Sequence, residues 1–221
     1  MGFPGFGTML SAIVQFAKAS RPGRVKTRLE PALSPDACAS LQAALVGDVW
    51  ERVTSSSADA RFLYCDIDWA PYQQIAGAER FRLQREGDLG ARMLGCFDEL
   101  AAEGFDRIVI VGSDSPTLPV ELVDRAIEAL AECDAVLGPA EDGGYYLVGC
   151  RAPDKKMFGG VEWSSERTFA QTEAAFSKVG FSTFALPPWW DVDTPADLLR
   201  LRDEPDLGPA TRAWLAQSVM D

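Results

Sequence analysis

The stretch Val109-Ile110-Val111-Gly112-Ser113-Asp114-Ser115-Pro116 limits the fold more than any other. Its apolar run shows no in-out alternation, as expected of a strand covered on both faces in a largely parallel sheet. A Gly-Ser-Asp-Ser-Pro turn ends it and leads to a helix predicted from about residue 119. Ligands of open α/β sheets bind outside the carboxyl ends of such strands. Asp114 therefore stands where a carboxylate can hold a divalent metal on a ligand's phosphates. The plainer alternative is an Asx-type cap of the turn.

Strand and helix patterns alternate along most of the rest of the chain. Strands are predicted at residues 10–16, 61–65, 81–84, 107–111, 134–139, 147–150 and 181–186. Ser34-Pro35-Asp36 reads as a cap, a first-turn proline and a first-turn acid. Leu41, Leu45, Val49 and Val53 then give one helix a buried face, which the polar run 54–57 closes. Further helices are predicted at 88–104, 119–132, 165–179, 195–203 and 210–220. Strand follows strand through the Gly143-Gly144 turn, which breaks the parallel pattern. The expected fold class is therefore α/β, a Rossmann-like three-layer sandwich with a mostly parallel, mixed sheet. Residues 10–204 are expected to form one domain, with 1–9 as a flexible leader and 205–221 carrying a C-terminal helix.

Composition narrows the chemistry. The 221 residues include 33 acidic and 21 basic side chains, a formal charge of −12, which argues against nucleic acid or an anionic membrane as partner. There is no histidine, which removes Ser-His-Asp triads, His general bases and His-ligated zinc. Five widely spaced cysteines without a CxxC pair suit reduced, buried thiols. No run approaches the ~20 apolar residues of a membrane helix, and the start lacks the basic region of a signal peptide. The expectation is a cytoplasmic protein.

Five of the thirteen residues from Ala17 to Leu29 are Lys or Arg, directly after the first strand. Lys18, Arg24, Lys26 and Arg28 occupy the usual phosphate position of α/β folds, and Gly23 permits close backbone approach. The loop lacks the Walker pattern GxxxxGK[ST], and a merely solvated basic loop is the alternative. In Asp191-Val192-Asp193-Thr194-Pro195, Asp193 either caps the helix from Pro195 or joins Asp114 on one Mg²⁺ or Mn²⁺, with Asp191 in reserve. Glu141-Asp142-Gly143-Gly144 suits hydroxyl-binding carboxylates beside a tight turn, or a plain hairpin. Trp163-Ser164-Ser165 and Trp189-Trp190 read as core, with walls of a ligand site as the sharper alternative. An exposed Trp189-Trp190 pair could also mark a homodimer interface.

Six motifs stand in the order and spacing of a known group. They are Phe16-Ala17-Lys18, the run Pro22 to Leu29, Gly87 to Met93, Gly112 to Pro116, Gly138 to Leu147 and Asp191 to Pro195. Over about residues 10–202 the chain resembles bacterial glycosyltransferase-A proteins called arsenosugar-biosynthesis or radical-SAM-associated glycosyltransferases. More distantly it is similar to phospholactate and molybdenum-cofactor guanylyltransferases. The resemblance implies a nucleotide-diphospho-sugar transferase fold, nucleotide phosphates on Lys18, Lys26 and Arg28, and metal on Asp114 and Asp193. Ala17, Gly23, Gly90, Arg92, Ser113, Gly143 and Gly144 complete the expected binding set, with Lys26, Glu141 and Asp142 joining Asp114 and Asp193 as catalytic candidates. Two departures stand out: no DxD at Ser113-Asp114-Ser115, and Lys18-Ala19-Ser20-Arg21-Pro22-Gly23 in place of a Gly-Gly-x-Gly loop.

The favoured expectation is glycosyl transfer from a nucleoside-diphosphate sugar to a small-molecule acceptor. The alternative is nucleotidylyl transfer from a nucleoside triphosphate to a phosphorylated small molecule, towards which residue chemistry alone leans. A non-catalytic nucleotide-binding domain is the third reading.

Overall fold

A computed structural model describes residues 9–218. Residues 1–8 of the expected leader and residues 219–221, where the expected helix 210–220 would finish, lie outside the described residues. Seven strands form one sheet: β1 (Ser11–Ala17), β2 (Ala60–Cys65), β3 (Phe81–Leu83), β4 (Arg107–Val111), β5 (Ala135–Pro139), β6 (Tyr145–Cys150) and β7 (Thr183–Ala185). Their order is β3-β2-β1-β4-β6-β5-β7. All pairings are parallel except those of β6, which runs antiparallel to β4 and β5. The Gly143-Gly144 turn thus builds the one reversed strand, as the sequence suggests.

Helices α1 (Pro35–Ser55), α2 (Ala70–Ala76), α3 (Leu89–Ala102), α4 (Val120–Ala129), α5 (Thr168–Lys178), α6 (Pro195–Arg202) and α7 (Pro209–Ser218) complete the fold. The unalternating strands are explained by two cores. Ile13, Val109 and Val111 face Val46, Val49 and Val53 of α1 and Val123, Ala126 and Ile127 of α4. Ala12, Val14, Ile108 and Ile110 face Met93, Phe97 and Leu100 of α3 and Phe176 of α5. Burying both faces of β1 and β4 makes the apolar pattern continuous rather than period two, with the buried Gln15 as the exception inside β1. This is a three-layer α/β fold.

The Ser34 hydroxyl accepts from the Ala37 amide and starts α1 as its sequence predicts. Helix α2 is not in the sequence reading; it is 7 residues long and no side chain caps its start. A third cluster joins Leu41 and Leu45 of α1, Leu198 and Leu201 of α6, and Trp214 and Leu215 of α7. Trp190 belongs to it at 4% exposure, and the partly buried Trp189 donates its indole N–H to Thr117. The expected exposed Trp189-Trp190 patch therefore does not exist, because the pair is drawn inward under α6. No helix among the described residues is long and apolar enough to cross a membrane.

Candidate functional site

Strands β1 and β4 are neighbours whose onward connections run towards opposite edges of the sheet, β1 towards β2 and β4 towards β6 and β5. A crevice opens at the carboxyl ends of such a pair. The basic loop leaves β1 there, and Gly112 to Pro116 leave β4.

Lys26 is the centre of the crevice. Its backbone is left-handed (φ 51°), unusual for a residue with a side chain, and it begins a short 3-10 helix, Thr27–Leu29. Leu29 is fully buried in the third core and anchors that turn. The Lys26 ammonium donates to Asp114 Oδ1, to the Val192 carbonyl at 2.7 Å and to Asp193 Oδ1 at 3.0 Å. Burial alone would lower the lysine's pKa, but the Asp114 and Asp193 carboxylates outweigh it and hold the pKa above its ordinary value. The Lys26 side chain is 3% exposed, whereas those of Asp114 and Asp193 are 43% and 36% exposed. Both acids therefore present carboxylate to the crevice from opposite loops. The Val192 amide donates to the Asp114 carbonyl at 2.8 Å and ties those loops together.

Beneath them the floor is polar, and its donors are satisfied internally while the Gln15 side-chain oxygen has no partner among the described residues. Gln15, fully buried, donates to Ser113 Oγ and to the Val46 carbonyl, both at 3.0 Å, and Ser113 donates to the Phe16 carbonyl. The Ser115 hydroxyl donates to Asp191. Burial, and then the neighbouring charge of Asp114, push the Asp191 carboxyl up to about 7.

Two clefts meet at this point. The first, about 530 Å³, is lined by Lys18, Arg24, Lys26, Arg28 and Arg92 against only Asp114 and Asp193. Arg92 is oriented by its bond to the Gly87 carbonyl at 2.9 Å. The second, about 510 Å³, is lined by Asp142, Gly144, Trp163, Ser164, Glu166 and Asp191. Arg28, Leu89, Asp114, Tyr145, Ser164 and Asp193 line both.

The structure brings together most of the expected site. Ala17, Lys18, Lys26, Arg28, Arg92 and Ser113 line the first cleft, Asp142 and Gly144 the second, and Asp114 and Asp193 the border. It does not bring in Glu141, which faces an 80 Å³ side cavity and is ion-paired with Arg200 at 2.8 Å. Gly23, Gly90 and Gly143 line neither cleft. A Cβ on Gly90 would stand 2.6 Å from the Trp163 ring, so this glycine seats the wall of the second cleft. Gly143 (φ 88°) lies against the Glu166 backbone, where a Cβ would meet the carbonyl oxygen at 2.1 Å. Asp193 does not cap α6; Thr194 does, in a reciprocal capping box with Asp197.

Other lining residues escape sequence reasoning. Gln42, on α1, is 4% exposed and lines the first cleft, but nothing separates it from an ordinary helical glutamine. Gln84 and Glu166 likewise carry no motif of their own. Ser164, by contrast, belongs to the Trp163-Ser164-Ser165 stretch read from the sequence as a possible ligand wall, and it stands at the junction of the clefts with a φ of 60°.

The donor set fits a small hard cation. Asp114 and Asp193 each give one oxygen to Lys26 and, among the described residues, keep the second free of protein donors. Mg²⁺ takes one or two carboxylates and completes its shell with water and phosphate.

The family model described as "Uncharacterized protein conserved in bacteria (DUF2064)" matches residues 39–165. A 2-phospho-L-lactate guanylyltransferase from Methanothermobacter thermautotrophicus is 30% identical over 179 residues, covering 81% of this chain and 79% of that protein. A crystal structure from Desulfovibrio desulfuricans G20, of a protein placed among the nucleotide-diphospho-sugar transferases, superposes with a TM-score of 0.85. The two are 31% identical, and 96% of each chain is covered. A cytidylyltransferase from Leptospira borgpetersenii shares the fold at a TM-score of 0.57 and 16% identity, over 86% of this chain and 84% of that one. The chain is a transferase of the DUF2064 family, homologous to the 2-phospho-L-lactate guanylyltransferases.

Proposed function

We propose that the chain is a nucleotidylyltransferase, which joins a nucleoside triphosphate to a phosphorylated small molecule. One observation carries this: a cleft with five cations and two acids at the topological switch point, opening onto a second cleft across Asp114 and Asp193. Five cations suit a polyanionic triphosphate better than a diphosphate sugar. The homology to guanylyltransferases supports the same class over the glycosyl transfer that the sequence resemblance favours.

In this reading Lys18, Arg24 and Arg92 hold the triphosphate tail, and Lys26 and Arg28 face the phosphates at the border. Asp114 and Asp193 would hold Mg²⁺ or Mn²⁺, which neutralises charge on the phosphates when bound. An oxygen of the acceptor's phosphate attacks the α-phosphorus from the second cleft, a new phosphoanhydride forms, and pyrophosphate leaves. Both partners are anionic, so no general base is needed, which agrees with a chain that has no histidine. Catalysis rests on positioning and charge neutralisation.

The test is a thermal-shift panel of the four nucleoside triphosphates and common nucleotide sugars, with and without Mg²⁺ or Mn²⁺, followed by pyrophosphate release with phosphorylated acceptors. Selective stabilisation by one triphosphate, with metal-dependent pyrophosphate release, is expected. Stabilisation by one nucleotide sugar above every triphosphate would return the chain to glycosyl transfer.

A further inference from the structure

The second cleft has the opposite charge to the first. Of its lining side chains Arg28 is the one cation, while Asp142, Glu166 and Asp191 add to the shared Asp114 and Asp193. The Arg28 guanidinium is exposed and makes no hydrogen bond or ion pair among the described residues. It lines both clefts, so it is placed to take the acceptor's phosphate beside the nucleotide. The nearby Arg167 does not line the cleft, and its guanidinium is paired with Glu162.

The acidic wall is built to hold its shape. The Phe169 amide donates to the Gly143 carbonyl at 2.9 Å and locks the start of α5 onto the turn before β6. The Gly144 amide donates to Asp142 Oδ1 at 2.9 Å, which fixes that carboxylate and leaves its other oxygen to the cleft. Trp163, which also lines this cleft, is held in place by Phe158, edge to face at 5.8 Å. Ser164 offers its hydroxyl where the two clefts join.

With Arg28 on the phosphate, a carboxylate on the acceptor's body would lie among acids with no cation left to pair with it. Like charges brought together in a partly enclosed cleft cost affinity. A hydroxyl, by contrast, donates to a carboxylate and can also accept from serine. We infer that the second cleft takes a phosphomonoester whose body carries hydroxyl groups and no carboxylate, a polyol or sugar phosphate, with Arg28 on its phosphate and Asp142, Glu166 and Ser164 on its hydroxyls. This rests on the nucleotidylyl-transfer reading and adds to it the class of acceptor. One acceptor phosphate oxygen bonds to the α-phosphorus as the α–β anhydride bond breaks, and the bonding pair leaves with pyrophosphate.

Glycerol 3-phosphate and 3-phosphoglycerate differ by one carboxylate in place of one CH₂OH, so they isolate the question. The experiment measures pyrophosphate release and acceptor binding for this pair and for glucose 1-phosphate, using the triphosphate that stabilises the protein. Wild type should favour glycerol 3-phosphate or glucose 1-phosphate over 3-phosphoglycerate by at least tenfold in kcat/KM. The double variant Asp142→Asn, Glu166→Gln, both exposed positions, should narrow that gap at least tenfold, with the melting temperature and triphosphate affinity kept. Equal or better use of 3-phosphoglycerate by wild type would overturn the inference and leave nucleotidylyl transfer standing. Failure of all three acceptors to bind or react would also overturn it. Triphosphate binding in the same samples then shows whether the broader reading falls with it.

Discussion

Lys26 makes three hydrogen bonds through one ammonium, and two of them are to acids that no other buried cation reaches among the described residues. Lys26→Met keeps the stem and removes the charge. The acids are more than one-third exposed and can turn to water, so the expected stability loss is only about 1–2 kcal/mol, read as a lower urea midpoint. Turnover should fall at least 100-fold, because the phosphates lose their most fixed cation. Asp191 sets a different test. Its folded pKa of about 7 lies above the ordinary 3.8, so between these values the folded chain holds a proton that the unfolded chain has released. The stability that follows is full below pH 4 and is lost as the pH rises to 7. The loss is at most about 4 kcal/mol, less whatever water restores at this partly buried group. Asp191→Asn should flatten that decline, matching wild type near pH 4 and exceeding it at pH 8 in urea unfolding. An unchanged slope would remove Asp191 as its source.

Single elements hold the clefts in place through contacts that only the fold reveals. Gly143→Ala would set a methyl group against the Glu166 carbonyl at a backbone angle alanine disfavours. It should cost about 2–3 kcal/mol and raise the acceptor KM while sparing triphosphate binding. Helix α7 depends on a carboxylate in α1: Asp48, 1% exposed, accepts from the Ala210 and Thr211 amides at 3.0 and 2.7 Å. Such a charge-assisted cap at a helix start makes Asp48→Ala cost about 2 kcal/mol or more, measured by urea unfolding. Both contacts show what a sequence hides. The Gly-Gly turn and the strands around it are legible because their signals are local. That Gly143 meets residue 166, or that Asp48 caps a helix more than 160 residues away, depends on tertiary placement that no window of sequence contains. The Lys26 bridge is of the same kind: the sequence suggests phosphate on the basic loop and pairs Asp114 with Asp193, but that one buried lysine joins the two acids appears only once distant loops meet. Helix α2 escaped because seven residues without a cap leave too weak a pattern.

At the scale of the molecule, charge is distributed against its own total. The chain carries a formal charge of −12, yet one cleft collects five cations. The alternation of strands and helices was enough to put a ligand site at the carboxyl end of β4, and the basic loop was enough to give it a sign. Asp142 and Asp191 were legible as single candidates, but that they join Glu166 around one acidic cleft was not, since the three come from separate segments. This polarity yields opposite salt responses from one protein. Raising KCl from about 50 to about 500 mM shortens the screening length from roughly 14 to roughly 4 Å. Triphosphate binding, driven by opposite charges across the first cleft, should weaken about fivefold to tenfold by calorimetric titration. The unliganded chain, whose excess acids repel one another, should instead melt at an equal or slightly higher temperature in the same buffers. If added salt left triphosphate affinity unchanged, the five cations would not be what holds the phosphates, and the assignment of the first cleft would fail with them.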